Sequence, residues 1–187
     1  VALVARRESL LNELADEIAG AGFERPIVIV EDVTRQGAPE QIRERVYEAF
    51  DALDILVNSA GGSRPIPWDA PVDVWHEGMT LNFEMLRQLT HQFIPGMRER
   101  KFGRVINITG SSEPRGVNVA NAAKGAVHMW AKGLSRIVAA EGVTVNSLPP
   151  GRINSEQILE RLHPDPEERE RFAKSEIPAG YFGEPED

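Results

Sequence analysis

Five short apolar runs punctuate the chain, at 1–5 (VALVA), 27–33, 55–58, 105–109 and 143–148. Each is rich in Val, Ile or Leu and lacks strict polar alternation, the pattern of strands buried on both faces. Stretches of helical period separate them. Residues 9–21 carry Leu10, Leu11, Leu14 and Ile18 at helical spacing, and 39–53 opens with Pro39, suited to a first helical position. The stretches 72–100 and 118–141 are longer. Strand–helix alternation of this kind predicts parallel strands joined by right-handed crossovers. The expected fold is therefore α/β, a doubly wound parallel sheet with helices on both faces. No linker, repeat or low-complexity tract divides it, so residues 1–187 read as a single domain.

The pattern changes after Gly151. Asn154-Ser155-Glu156-Gln157 reads as a capping box, with Asn154 as the cap and Gln157 reaching back. The segments 158–162 and 166–172 are charged and amphipathic. Residues 152–178 thus predict one or two helices, either a lid over a substrate or a surface helical hairpin.

Composition narrows the function classes. With 41% hydrophobic and 27% charged residues the chain is globular rather than disordered. Its net charge of −8 leaves no basic excess to neutralise phosphates, which argues against nucleic acid as a partner. The absence of cysteine excludes disulfides, thiolate metal sites and a cysteine nucleophile. The histidines are few and scattered without ligand spacing, so no metal site is expected. No apolar run is long enough to span a membrane and no signal peptide precedes the first run, so no membrane partner and a cytoplasmic location are expected. The opening inside an apolar run at Val1 and the polar close at 183–187 predict a domain incomplete at both its N- and C-terminal ends.

In open parallel sheets ligands bind beyond the carboxyl ends of the strands. The runs here are followed by Arg6-Arg7, by Asp32-Val33, by Asn58-Ser59-Ala60-Gly61-Gly62, by Thr109-Gly110-Ser111-Ser112 and by Pro149-Pro150-Gly151-Arg152. Any one of these is compatible with ordinary turn chemistry. Together they predict a binding crevice. Small residues at Asn58, Ala60 and Gly61 let backbone approach a ligand closely, and a guanidinium can pair with phosphate through two parallel hydrogen bonds.

The ordered motifs resemble those of the short-chain dehydrogenase/reductase family, in particular its 3-oxoacyl-ACP reductase-like members. LDILVNSAGG resembles the strand and "NNAG" motif, GRVINITGSS the strand that delivers the catalytic serine, and VTVNSLPPG the strand that ends in Pro-Gly. Asn82 in MTLNFEM resembles the active-site asparagine, and Lys124 in ANAAKGAV the lysine of Tyr-x-x-x-Lys. The resemblance covers nearly the whole chain in the right order. It implies a Rossmann-like fold and an oxidoreductase that interconverts a carbonyl and a hydroxyl group of a small molecule by hydride transfer. The implied catalytic set is Asn82, Ser111 or Ser112, and Lys124. The implied cofactor set is Arg6, Arg7, Asp32, Val33, Asn58, Ala60, Gly61, Lys124, Pro150 and Gly151, with Asp32-Val33 at the adenine and Pro150-Gly151 flanking the nicotinamide. Where an acidic residue would bind the ribose hydroxyl of NAD stands Ala5, followed by two arginines, which favours NADP over NAD. The long helices, with Phe83, Leu86, Met129 and Trp130, imply a homodimer or homotetramer; the same residues could equally cover the sheet.

Two departures stand against this pattern. No Gly-rich phosphate turn follows a strand; Gly20-Ala21-Gly22 lies at a helix end, where glycine terminates helices. The position four before Lys124 is Ala120, whereas the resemblance calls for a tyrosine that moves the substrate proton. Loss of a positioned acid forfeits roughly 10²–10⁴-fold in rate. Water relayed through Asn82 and Lys124, Lys124 itself, or His128 one turn further on are the substitutes the sequence offers, and Asn118 and Asn121 can hydrogen-bond but not titrate. The alternative is a non-catalytic dinucleotide-binding module or oligomer partner that has lost the proton donor.

Overall fold

The computed structural model describes residues 1–63, 65–110 and 116–187. The chain forms two compact units, Val1–Leu148 and Pro149–Asp187. The first runs β1 (Ala2–Ala5), α1 (Glu8–Gly20), β2 (Ile27–Val30), α2 (Ala38–Ala49), β3 (Ile55–Asn58), α3 (Val72–Met79), α4 (Met85–Glu99), β4 (Gly103–Ile108), α5 (Val119–Val138) and β5 (Val143–Leu148). All five apolar runs are strands and all strand pairs are parallel, as the alternation predicts.

The single sheet expected from the pattern is divided by its hydrogen bonding. β1 pairs with β2, and β3, β4 and β5 form a separate three-stranded sheet in that order. No strand among the described residues bonds β1 to β3. One apolar cluster nevertheless serves both sheets: Ile29 of β2, Leu56 of β3, Val105 of β4 and Val143 and Val145 of β5 pack with Ile42 and Val46 of α2, Phe93 and Met97 of α4 and Val138 of α5. On α1 Leu11 and Ala15 are buried where that helix packs on β1 and β2. Burial on both faces fails at β3. Its residues alternate, with Leu56 in the core while Ile55 and Val57 stay more than half exposed, because successive side chains point to opposite faces of a strand and only one face of β3 is covered.

The register fixes what lies together. Ala5 is opposite Val30, so Arg6 and Asp32 leave the same edge of the two-stranded sheet. Asn58 is opposite Asn107, and Asn107 opposite Ser147, so Ser59, Ile108 and Leu148 share the carboxyl edge of the other sheet. The long helical stretch forms as predicted, with one irregularity. Between α3 and α4 residues Thr80–Glu84 make a π turn, a widening of the ladder that leaves the helix continuous and is common at functional sites. Asn82 sits in it. Asn118 caps α5, its side chain accepting from the Ala120 N–H at 2.9 Å.

The second unit contains a π-helical turn at Gln157–Leu162 and α6 (Pro166–Glu176). α6 is capped by Asp165, which accepts from the Glu168 N–H at 2.7 Å, with Pro166 at the first helical position. The capping box predicted at Asn154 does not form. Asn154 donates its side-chain amide to Glu184 at 2.6 Å and its backbone N–H to Gly183, which binds it to the C-terminal segment. Ser155, one residue later, accepts the Ile158 N–H at 3.4 Å instead. Ile158, Ala173 and Phe182 make this unit's own small core.

Candidate functional site

A polar network is buried where β3 and β4 end. The Asn58 amide donates to the Asn107 side-chain oxygen at 2.9 Å and to the Thr90 hydroxyl at 3.0 Å, and Thr90 passes its own proton to the Leu86 carbonyl at 2.8 Å. Asn58, Thr90 and Asn107 are all under 6% exposed. Side-chain amides inside an apolar layer persist only when bonded, so the network holds the end of β3 against β4 and α4. It aims the chain that follows, Ser59-Ala60-Gly61-Gly62, outward from a fixed point. Ser59, Ala60 and Gly61 are exposed.

That loop is grasped by the π turn. Asn82, 1% exposed, accepts from the Gly62 N–H at 3.0 Å and donates to the Gly78 carbonyl at 2.9 Å. The second bond satisfies a carbonyl beside the widened helical ladder. The close fit shows at Gly61, where an added Cβ would lie 2.9 Å from Asn82 Oδ1 and 3.2 Å from Lys124 Nζ. Loop glycine, helix asparagine and lysine therefore converge. Lys124 lies on α5 and donates from Nζ to the Ile108 carbonyl at the end of β4, at 2.9 Å. It is half-buried, and desolvation holds its ammonium below the ordinary lysine range.

A cavity of about 340 Å³ opens beside this cluster, between α3, the start of α5 and the segment after β4. Trp75, Asn118, Asn121, Lys124 and His128 are among its walls. Asn118 fastens one rim by donating to the Ser63 hydroxyl at 3.0 Å. Ala120 is buried and is not part of the cavity wall. Of the two tyrosines, Tyr47 packs on Phe93 in the core and Tyr181 is exposed in the second unit.

At the edge of the two-stranded sheet Arg6 and Asp32 come together, Nη1 to Oδ2 at 3.7 Å. Asp32 also accepts from the backbone and hydroxyl of Thr34 at 2.9 and 2.6 Å, and these bonds first, with Arg6 behind them, hold its carboxyl below the usual range. Arg6 is largely exposed, so its guanidinium faces solvent with donors to offer. Arg7 is the cap residue of α1. Val33 packs partly against the core. Pro150 and Gly151 are exposed at the start of the second unit. Ser111 and Ser112 lie outside the described residues.

The structure thus gathers Asn58, Gly61, Asn82 and Lys124 at one strand edge and pairs Arg6 with Asp32 at another. Sequence reasoning missed Thr90, Asn107 and Trp75. For Asn107 a signal existed, since an amide inside the apolar run VINIT must find a partner. Among the described residues no group of three His, Asp or Glu side chains is placed to hold a metal ion, and no helix is long and apolar enough to cross a membrane.

The site sets a loop of small residues beside a desolvated cation. The short chain dehydrogenase family matches residues 1–165. The 2,3-dihydroxy-2,3-dihydro-p-cumate dehydrogenase of Pseudomonas putida is 32% identical over 189 residues, covering 96% of this chain and 71% of that protein. A 3-oxoacyl-[acyl-carrier-protein] reductase of Haemophilus influenzae is 33% identical over 163 residues, 85% of this chain and 66% of its own length. The crystal structure of a 3-oxoacyl (acyl-carrier-protein) reductase from Agrobacterium tumefaciens with NADP bound superposes with a TM-score of 0.91 at 25% identity, over 100% of this chain and 73% of that one. Parallel strands, the loop–asparagine–lysine cluster and these matches converge on one conclusion: the chain belongs to the short-chain dehydrogenase family, whose members are oxidoreductases.

Proposed function

We propose that the protein interconverts a carbonyl and a hydroxyl group on a small molecule, with NADP(H) as the hydride carrier. The observation that carries this reading is the convergence of Lys124 Nζ and Asn82 on Gly61, at a strand edge where a ligand can lie against bare backbone. The residues present fit the ribose end of a dinucleotide. A half-buried ammonium with donors beyond the one given to Ile108 can bind ribose hydroxyls, and the exposed Ser59–Gly61 loop lets a sugar approach. When bound, the nicotinamide supplies or accepts the hydride. The chain's own residues do the rest. Asn82 fixes the loop, the cavity beside Lys124 holds the substrate, and Ser111 or Ser112 orients its oxygen. Asp32-Val33 receives the adenine.

Support for the phosphorylated cofactor comes from Arg6. Its guanidinium stands at the strand end beside Asp32 with most of its surface in solvent, able to pair a 2′-phosphate. The NADP-bound reductase of Agrobacterium tumefaciens points the same way. Fluorescence titration of NADPH and NADH into the full-length protein tests this reading. NADPH is expected to saturate and to bind more tightly than NADH, and Arg6→Ala is expected to erase that preference. Equal affinities, unchanged by Arg6→Ala, would remove the NADP assignment; binding of neither nucleotide would remove the oxidoreductase reading.

Ala120 is the one observation favouring a second reading, a nucleotide-binding module without catalysis. Hydride turnover in the full-length protein separates the two. Under the non-catalytic reading only Ala120→Tyr creates activity.

A further inference from the structure

We propose that Lys124 itself donates the proton to the substrate oxygen, acting directly where the family resemblance calls for a tyrosine four residues upstream. The inference rests on the oxidoreductase reading. It begins with the cavity walls. Among the described residues lining it only Lys124 and His128 titrate; Trp75, Asn118 and Asn121 do not. Ala120 offers no proton, and Tyr47 is committed to the core against Phe93. Among the described residues of this wall, a proton therefore comes from Lys124 or His128.

Geometry favours Lys124. Its Nζ is anchored by one bond to the Ile108 carbonyl and reaches the edge of Gly61, beside the Gly62 N–H that Asn82 holds. An ammonium carries three hydrogens, so the anchor leaves others for a ribose hydroxyl and for the substrate. His128 lies one helical turn further along α5, where it also borders a second cavity against β5. Among the described residues, the groups placed at Lys124 are neutral: backbone at Gly61, the Asn82 amide and the Ile108 carbonyl. Burial pushes its ammonium down from the usual range. A weaker base is a stronger acid, so an amine depressed in this way gives up its proton more readily.

The step balances. In reduction, hydride from the reduced dinucleotide adds to the carbonyl carbon as the C=O π pair moves to oxygen. The Nζ–H proton passes to that oxygen. A hydroxyl forms, the dinucleotide is oxidised, and Lys124 remains as a neutral amine until water reprotonates it. In the oxidative direction the neutral amine accepts the hydroxyl proton.

The test has two arms, both on the full-length protein. Lysine 13Cε NMR titration follows Lys124 beside Lys101, Lys132 and Lys174, with Lys124→Arg assigning the signal. Lys124 is expected to titrate below those three; a Lys124 signal that titrates with them overturns the proposal whatever the substrate. The second arm follows NADPH oxidation against pH with acetoacetyl-CoA as probe. Reduction is expected to fall as pH rises through the Lys124 titration. Lys124→Arg, which keeps the charge but cannot deprotonate, is expected to retain NADPH binding while turnover drops roughly 10²–10⁴-fold. Turnover and an alkaline limb unchanged in Lys124→Arg, or a limb lost in His128→Gln, would each overturn it. Failure of the wild type to bind NADPH would instead defeat the oxidoreductase reading on which it stands.

Discussion

The Asn82 amide uses both its ends. Its oxygen takes the Gly62 N–H and its nitrogen serves the Gly78 carbonyl, so no carboxylate can replace it fully. Asn82→Asp keeps the acceptor, loses the donor to the Gly78 carbonyl and puts a carboxylate in a buried place. It should lower stability by about 1–3 kcal/mol, read from the denaturant midpoint. The same change puts a negative charge on the atom that flanks Gly61 opposite Lys124. An opposite charge favours the ammonium, so the Lys124 titration should move up, reversing the effect of burial. Retention of the low Lys124 titration in Asn82→Asp would show that the two side chains do not share a site. Asn82 and Lys124 were legible as residues because their motifs carry them. Their partners were not. Thr90 lies 32 residues from Asn58 and Asn107 lies 49 residues from it, and nothing local in the sequence says that three polar side chains inside separate apolar stretches will meet.

Elements bring such distant residues together, and here two helices approach closely. A Cβ at Gly78 of α3 would overlap the Val119 side chain at the start of α5. This glycine sets the spacing between the helix that leads into Asn82 and the helix that carries Lys124. Gly78→Ala should cost about 1–3 kcal/mol by overpacking. Gly133, inside α5, has open space around its missing Cβ. Gly133→Ala should therefore stabilise the protein by about 0.5–1 kcal/mol through the helix's backbone entropy. Thermal melts of the two variants should move in opposite directions; a shared sign would refute the helix spacing. At this scale the sequence was most readable. The runs rich in Val and Ile became strands and the 3.6-residue periods became helices. One thing stayed hidden. The π turn needs one extra residue in a helical ladder and leaves the apolar period nearly intact. Asn154 misled for another reason: an amide that can cap a helix can also bind a distant tail, and Glu184 wins here.

At the scale of the whole molecule each unit carries a histidine packed among aromatic rings. In the first, His91 lies 6.3 Å from the Trp130 ring with Arg87 beside it. In the second, His163 lies 4.3 Å from the Phe172 ring and 5.5 Å from that of Phe182. Burial first, then the neighbouring arginines, hold both imidazoles below the ordinary histidine range; for His163 these are Arg152 and Arg169, with Glu168 opposing. The folded state thus binds fewer protons than the unfolded one. The stability that follows is complete above about pH 6.5, the unfolded value, and is lost as pH falls from there through the folded values. The carboxylates lowered by arginine or lysine partners, Glu31, Glu141 and Glu170, carry the same sign but act only near the carboxylate range. Acid should therefore loosen both units before any carboxylate is protonated. In the second unit the effect should run through His163, since its ring sits against Phe172 and Phe182 of that unit's only core among the described residues. His163→Phe keeps an aromatic ring there and removes the proton. Amide protection across 157–176, corrected for the intrinsic pH dependence of exchange, should fall between pH 7 and pH 5.5 in the wild type and stay level in His163→Phe. The first unit, with His91 intact, should respond alike in both proteins. An equal acid response of 157–176 in wild type and His163→Phe would place the sensitivity in the carboxylates instead.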